Sequence, residues 1–342
     1  MNTCLRAPQW AFDCGTPATK GVIRRQPDDF EVTEQLGYEL SGMGEHLWLL
    51  VEKRNQNTGW VAEQLARYLG VQARHVGYAG LKDRHALTRQ WFSAHLPGRD
   101  DPDLSGLHVD GIAILEQTRH HRKLRTGGLE GNRFRIVVRE LNGDTAGTET
   151  RLQTIAVSGV PNYFGEQRFG RDGGNLDKAL AMFRGDSRPR RSLQGIYLSA
   201  ARSFLFNEVL SRRIEADTWL RPTAGDVMML DGSHSVFKTK DESIDELMAR
   251  LHAGDVHITG PLFGKGQSMV EDEVLELETT VFARHPEFIA GLEAAGLKPE
   301  RRALRVIPGE LQWQFEDDSL ILNFTLPAGS YATAVLRELV LY

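Results

Sequence analysis

The residues best equipped for chemistry lie at 76–93, VGYAGLKDRHALTRQWFS, where one carboxylate, Asp83, stands among Lys82, Arg84 and His85. Neighbouring cations favour the ionised form of a carboxyl group, which suits it to act as a nucleophile or to stabilise developing positive charge. The same cations are able to contact phosphates. Gly77, Ala79 and Gly80 carry no bulky side chain, so the backbone there can turn tightly and admit a substrate closely. Taken alone, such a segment is more commonly a surface turn holding a salt-bridged aspartate.

Other common chemistries find no support. Cys4 and Cys14 make neither a CxxC pair nor a disulfide framework. The histidines, adjacent at 120 and 121 and five apart at 252 and 257, lack zinc spacing. GPLFGKG at 260–266 has three residues before its Gly-Lys and then Gly266 in place of Ser or Thr, which marks an ordinary loop. DGSHS at 231–235 reads as a turn, and neither G-x-G-x-x-G nor G-x-S-x-G occurs in a suitable context. Side-chain chemistry without cofactor or metal is the expectation.

At 342 residues the chain has room for two domains, and its 41% hydrophobic and 25% charged content is that of a globular protein. No apolar run approaches the roughly 18 residues of a membrane span, and the first residues lack the apolar core of a signal peptide. A cytoplasmic protein is expected. The net charge of −5 is unusual for a nucleic-acid binder, but charge is segregated along the chain. Residues 117–139 carry seven Lys/Arg against Glu130 alone, whereas 241–280 carry ten acids against Arg250 and Lys265. A basic surface can therefore hide in an acidic total, although basic runs are often just solvated surface.

Elements that would position Asp83 follow from periodicity. Alternation predicts strands at 30–35, 46–53, 90–96, 111–117 and 133–140, with a short one before the Gly77 turn. Thr58 opens an amphipathic helix that Gly70 stops. After the NGDTAG break, the chain from Pro161 reads as largely helical, at 175–183, 192–214 and 243–254, the last with Ser243 and Glu246 at capping-box spacing. Strand character returns at 304–308, 311–315 and 320–326, before a final helix at 331–340 for which Ser330 is a plausible N-cap. A helical domain inserted into a strand-rich one is the expected organisation.

GYAGLKDRHALTRQWFS resembles the catalytic motif of the TruD family of tRNA pseudouridine synthases, and further segments resemble that family in its order. These are Arg24 with PDDFEVTE at 27–34, RHHRKLRTGGLEGNRFRIVVRE at 119–140, GVPNYFGEQRFG at 159–170, LSAARSFLFNEVL at 198–210 and LPAGSYATAVLREL at 326–339. The resemblance implies an α/β (α+β) fold, with a mixed, largely antiparallel catalytic sheet from 1–157 and 306–342 and a helix-rich insert at 158–305. It implies conversion of uridine, at position 13 of tRNA, to pseudouridine, with Asp83 catalytic, no cofactor, and no protein partner in evidence.

It further implies a substrate pocket containing Phe30, Asn132, Phe134 and Tyr331, with Arg24, Lys82 and Arg84 as basic contacts. Tyr331 stands where the family usually has phenylalanine, which keeps a stacking face and adds a hydroxyl. Without the resemblance, Phe30 and Phe134 read as core and Asn132 as a turn residue. In NYFGEQRFG the aromatics read as packing and Arg168 as a candidate phosphate contact. A carboxylate at the ribose has three routes open: a covalent ribosyl intermediate, stabilisation of oxocarbenium character as in glycoside hydrolysis, or proton removal to a glycal. Aromatic side chains suit a base taken out of its stack. A tRNA-binding factor and a base-removing glycosidase are the rival readings.

Overall fold

The computed structural model describes residues 10–342, so Cys4 lies outside the described residues. The strands before residue 143 are β1 (Lys20–Val22), β2 (Phe30–Gln35), β3 (His46–Arg54), β4 (Val76–Tyr78), β5 (Leu87–His95), β6 (Ile112–His120) and β7 (Gly131–Asn142), with helix α1 (Thr58–Tyr68) after β3. Then come α2 (Thr145–Ser158), β8 (Val160–Pro161), α3 (Gly174–Arg184), α4 (Arg191–Glu215), β9 (Val227–Leu230) and β10 (Val236–Lys238). They are followed by α5 (Ile244–His252), β11 (Val256–Leu262), α6 (Asp272–Ala283), α7 (Pro286–Ala294), β12 (Glu300–Ala303) and β13 (Arg305–Val306). The chain ends with β14 (Gly309–Glu316), β15 (Ser319–Pro327) and α8 (Ala332–Leu339). No helix among the described residues is long and apolar enough to cross a membrane.

Two compact units result. The sheet unit comprises 18–149, 308–329 and 340–342. Its strand order is β14-β15-β7-β2-β5-β3-β6, with β1 on β7 and β4 on β5, and β2–β5 is the parallel pair. The alternation that marked these strands sorts their side chains between two faces. Leu47, Leu49 and Val51 of β3 pack with Val61, Leu65 and Ala66 of α1, whose buried positions recur at helical spacing. Trp48 packs on the other face with Ala79, Trp91 and Leu124. Gly70, at φ +63°, follows α1 as expected.

The helical unit comprises, among the described residues, 10–17, 150–307 and 330–339. Its core gathers Phe204, Leu205, Phe206 and Leu210 of α4 with Tyr163, Phe169, Leu176, Phe288 and Leu292. Residues 10–17 and α8 thus belong to this compact unit, whereas the sequence grouped them with the strands. Trp10 joins the α4 core, and Arg337 of α8 donates to the Trp10 carbonyl.

The unit is also less helical than its sequence suggests, because it holds a four-stranded sheet, β10-β9-β11-β12. VMML of β9 and VHITGPL of β11 are buried on both faces for most of their length, so they lack the alternation that would reveal a strand. The strand expected at 304–308 contracts to β13, and the longer pairing falls just before it in β12. Ser243 and Glu246 form the expected capping box on α5.

Gly77 has a different purpose from the one its sequence context suggests. It lies inside β4, and a Cβ there would overlap the Leu124 carbonyl oxygen and crowd Lys123 and Ser93. Its bareness lets the 121–128 loop cross the sheet; Gly80, by contrast, has open space around it. Gly77→Ala should destabilise the protein by about 2–3 kcal/mol through overpacking, read as a lower denaturation midpoint in urea, while Gly80→Ala should change it by less than about 1 kcal/mol.

Candidate active site

Register places the expected pocket residues on a single face of the sheet unit. Glu34 of β2 stands opposite Asn132 of β7, Val32 opposite Phe134, and Phe134 opposite Phe324 of β15. Val32 neighbours Thr88 of β5, which in turn faces Lys53 of β3. Phe30, Glu34, Asn132, Phe134, Gln90 and Lys53 therefore project from the same side. Phe30 and Phe134 meet edge to face at 6.3 Å between centroids, and Phe134 stacks on Phe324 at 5.3 Å. Asn132 is a strand residue, not a turn residue, and its buried Oδ1 has no partner among the described residues.

The loop carrying Asp83, residues 79–86, is tied down on this face by a network of buried polar groups. Lys82 Nζ meets Glu34 Oε1 at 2.7 Å, and the Glu34 side chain is fully buried. Burial pushes the Glu34 carboxyl up, opposed by the Lys82 ammonium and by the Trp91 N–H that donates to Oε2 at 2.8 Å. Lys82 N–H donates to Thr58 Oγ1, Thr58 donates to Gln90 Oε1, and Gln90 Nε2 donates to the Gly80 carbonyl. Lys53, fully buried, donates from Nζ to the carbonyls of Asp83 and Gln56, each at 2.9 Å.

Asp83 itself remains part-exposed, with 32% of its side-chain surface accessible. Arg24 Nη2 donates to Asp83 Oδ2 at 2.8 Å, and no protein donor among the described residues engages Oδ1. The Arg24 guanidinium lies 4.2 Å over the Phe30 ring, a cation–π contact that sets its direction. Arg24 has φ +57°, a left-handed conformation costly for a residue with a Cβ, and such strain tends to be held at functional sites. Arg84 is exposed, with Nε donating to the Asn55 carbonyl at 3.3 Å.

The candidate residues thus divide. Arg24 touches both Asp83 and Phe30, Asn132 and Phe134 share the Phe30 face, and Lys82 is committed to Glu34. Tyr331 belongs to the helical unit, where Arg168 donates to its hydroxyl from both Nε and Nη2. Sequence reasoning missed Lys53 and the partnership of Glu34. The signal was there: Lys53 continues the inward-facing series Leu47, Leu49, Val51, and Glu34 continues Phe30, Val32.

A cavity of about 940 Å³ lies on the opposite face, bordered by Tyr38, His46, Trp48, His120, Arg122 and Arg125. It is separate from Asp83, since Trp48 and Lys53 project from opposite sides of β3. Four cations of the basic 117–139 run are neutralised, Arg119 by Asp101, Arg133 by Glu310, Arg135 by Glu31 and Arg139 by Asp29. Arg122, Lys123 and Arg125 have no such partner among the described residues.

The fold is that of a pseudouridine synthase. It superposes on a solved structure from Methanosarcina mazei, described provisionally as tRNA pseudouridine synthase D (TruD), with a TM-score of 0.70 at 23% identity over 98% of this chain and 95% of that one. The family model for tRNA pseudouridine synthase D (TruD) matches residues 11–188 and 187–339, and this chain belongs to that family. Among its relatives, the tRNA pseudouridine synthase D of Hydrogenovibrio crunogenus is 51% identical over 341 residues, covering 99% of this chain and 98% of the relative. That of Nitrosococcus oceani is 50% identical over 335 residues, covering 96% and 93%.

Two expectations test the loop anchoring. Lys82→Met leaves the Glu34 carboxylate buried and unpaired, and should lower stability by about 3–5 kcal/mol in a urea titration. Burial holds Lys53 down from 10.5 to about 8, so the cost of its buried ammonium is fully present below pH 8 and is relieved between pH 8 and 10.5. Wild type should therefore gain roughly 3 kcal/mol on Lys53→Met across that window. At neutral pH Lys53→Met should stay folded, yet lose at least about tenfold in turnover as Asp83 loses its anchor.

Proposed function

We propose that the chain isomerises uridine to pseudouridine in tRNA, with Asp83 as the catalytic carboxylate and position 13 as the target. The observation that carries this reading is the clamped but half-open state of Asp83 in a chain of this family. One carboxylate oxygen is fixed by Arg24 and the backbone is held by Lys53, while Oδ1 faces no protein donor. In the reaction the N1–C1′ bond breaks, uracil turns, C5 bonds to C1′, and the proton leaving C5 is balanced by one gained at N1. No electrons are exchanged with an outside donor, so the chemistry asks only for positioning and charge.

Asp83 acts at C1′ or at the adjacent C2′ proton, and Arg24 steers the second oxygen. Phe30, with Arg24 over its ring, walls the pocket, Phe134 backs it, and Asn132 presents an unpaired amide oxygen to a uracil N–H or to the Asp83 loop. Arg84 contacts backbone phosphate, and Lys82 serves the substrate indirectly by seating the loop. Tyr331 is assigned as a base-facing aromatic through its motif. The sheet-rich part, expected at 1–157 and 306–342, is the catalytic module, and the insert at 158–305 supplies RNA contacts. Arg122 and Arg125, lacking acidic partners, add phosphate contacts. The protein acts in the cytoplasm and needs no protein partner.

Incubation with an unmodified tRNA pool, followed by digestion to nucleosides and mapping of the modified position, tests the proposal. Pseudouridine at position 13 is the expected product; free uracil would identify a glycosidase, and unchanged uridine a binding factor. Asp83→Asn should abolish product while leaving tRNA affinity within about tenfold, because phosphate contacts dominate binding. Turnover retained in that variant would show the acid to be misassigned.

A further inference from the structure

Within the helical unit two arginines share one aromatic ring with no counter-charge. Arg302 of β12 lies with its guanidinium 4.2 Å over Phe164, and Arg168 lies 5.6 Å from the same ring centroid. Flanking arginines are neutralised, Arg301 by Glu278 at 2.8 Å and Arg202 by Glu300 at 3.5 Å. Arg168 and Arg302 have no carboxylate within 4.0 Å among the described residues. Burial and, to a lesser degree, the Arg168 charge pull Arg302 down to about 10. Two like charges held together in a poorly solvated place are costly unless an anion joins them.

The surrounding polar atoms are incomplete in a matching way. Arg302 Nη2 donates to Asn162 Oδ1 at 2.6 Å, but its buried Nε has no acceptor among the described residues. Arg168 donates from Nε at 3.0 Å and Nη2 at 2.6 Å to Tyr331 Oη, and from Nη1 to Ser199 Oγ. The Tyr331 oxygen is therefore occupied as an acceptor, and its own proton has no acceptor among the described residues. Thr333 Oγ1 is likewise buried without a partner. Both Tyr331 and Thr333 approach closely because Gly165 lacks a Cβ, which would collide with them. Unspent guanidinium and hydroxyl donors gathered around the Phe164 ring suit a tetrahedral oxyanion.

We propose that Arg168, Arg302 and the Tyr331 hydroxyl form a receptor for one phosphodiester group of the tRNA. This rests on the reading that the chain acts on tRNA, but its test does not require turnover. The phosphate supplies the counter-charge that the two guanidiniums lack, accepting from Arg302 Nε and from the Tyr331 O–H. Arg168, spent on Tyr331 and Ser199, directs that hydroxyl and adds charge. A phenylalanine at 331 would stack but could not donate.

The experiment compares wild type, Arg302→Met and Tyr331→Phe for binding of an unmodified tRNA transcript over a salt series, with thermal melts of each free protein. Arg302→Met keeps the apolar contact with Phe164 and removes the charge. It should weaken tRNA binding about tenfold or more and reduce the slope of log affinity against log salt by about 0.7–0.9, the signature of one lost phosphate contact. Its Tm should not fall, because an uncompensated charge has been removed. Tyr331→Phe should weaken binding about threefold or more with little change in slope.

Unchanged affinity and slope in Arg302→Met overturns the proposal. So does a parallel loss of Tm and affinity, which would make Arg302 a packing residue. Inorganic phosphate that raises the Tm of wild type but not of Arg302→Met, with tRNA binding alike in both, would mark a small-anion site and equally overturn it. If wild type made no pseudouridine yet the binding differences held, the phosphate receptor would stand and the catalytic reading would fall.

Discussion

Everything that concerns Asp83 depends on the ion pair between Glu34 and Lys82. A loop of small and charged residues has little apolar surface with which to hold its own conformation. Here it is pinned by an ammonium brought down to a fully buried carboxylate at 2.7 Å. Such a pair contributes little net stability against a well-packed apolar alternative, but it penalises every arrangement in which the two groups are apart. The penalty selects one seating of the loop. Thr58, Gln90 and Lys53 then engage its remaining backbone groups, so the carbonyls of Gly80 and Asp83 are not left bare on an apolar face. Asp83 can stay part-exposed because its neighbours are not.

Much of this was legible in the sequence. Strand alternation located β2, β3, β7, β14 and β15, and helical spacing located α1 and the long α4. The sequence resemblance singled out Asp83, Arg24, Phe30, Asn132 and Phe134; the register puts the last three on one face, and Arg24 links Phe30 to Asp83. The partnerships were harder to read, because a pattern tells which face a side chain uses and not what it meets there. Lys53 was passed over as the last residue of a predicted strand, and Lys82 read as one of several cations around an acid. The four-stranded sheet of the helical unit escaped because strands buried on both sides lose the period-two signal. Gly77 was read as room for substrate, whereas the neighbour that needs the room is the protein's own Leu124.

The acidic total also conceals a selective distribution of charge. Most arginines in the basic run are answered by acids on neighbouring strands, and much of the acidic segment is answered locally, Glu242 and Asp255 by Arg250 and Glu271 by Lys238 and Lys240. Among the described cations that no carboxylate answers are Arg122 and Arg125 in the sheet unit, and Arg168 and Arg302 in the helical unit. For a polyanionic ligand, these residual charges matter more than the sum.

The order in which the strands arrive has a cost during synthesis. β7 pairs along one edge with β2, already made, but along the other with β15, where Phe134 waits for Phe324 about 190 residues later. At ribosomal speeds of ~5–20 residues per second, that edge emerges roughly 10–40 s before its partner. Arg133 leaves a positive charge on the nascent strand while its partner Glu310 is still to be made. A charge on that edge disfavours pairing with a second copy of itself, whereas Arg135 and Arg139 already have Glu31 and Asp29, made before them, to answer them.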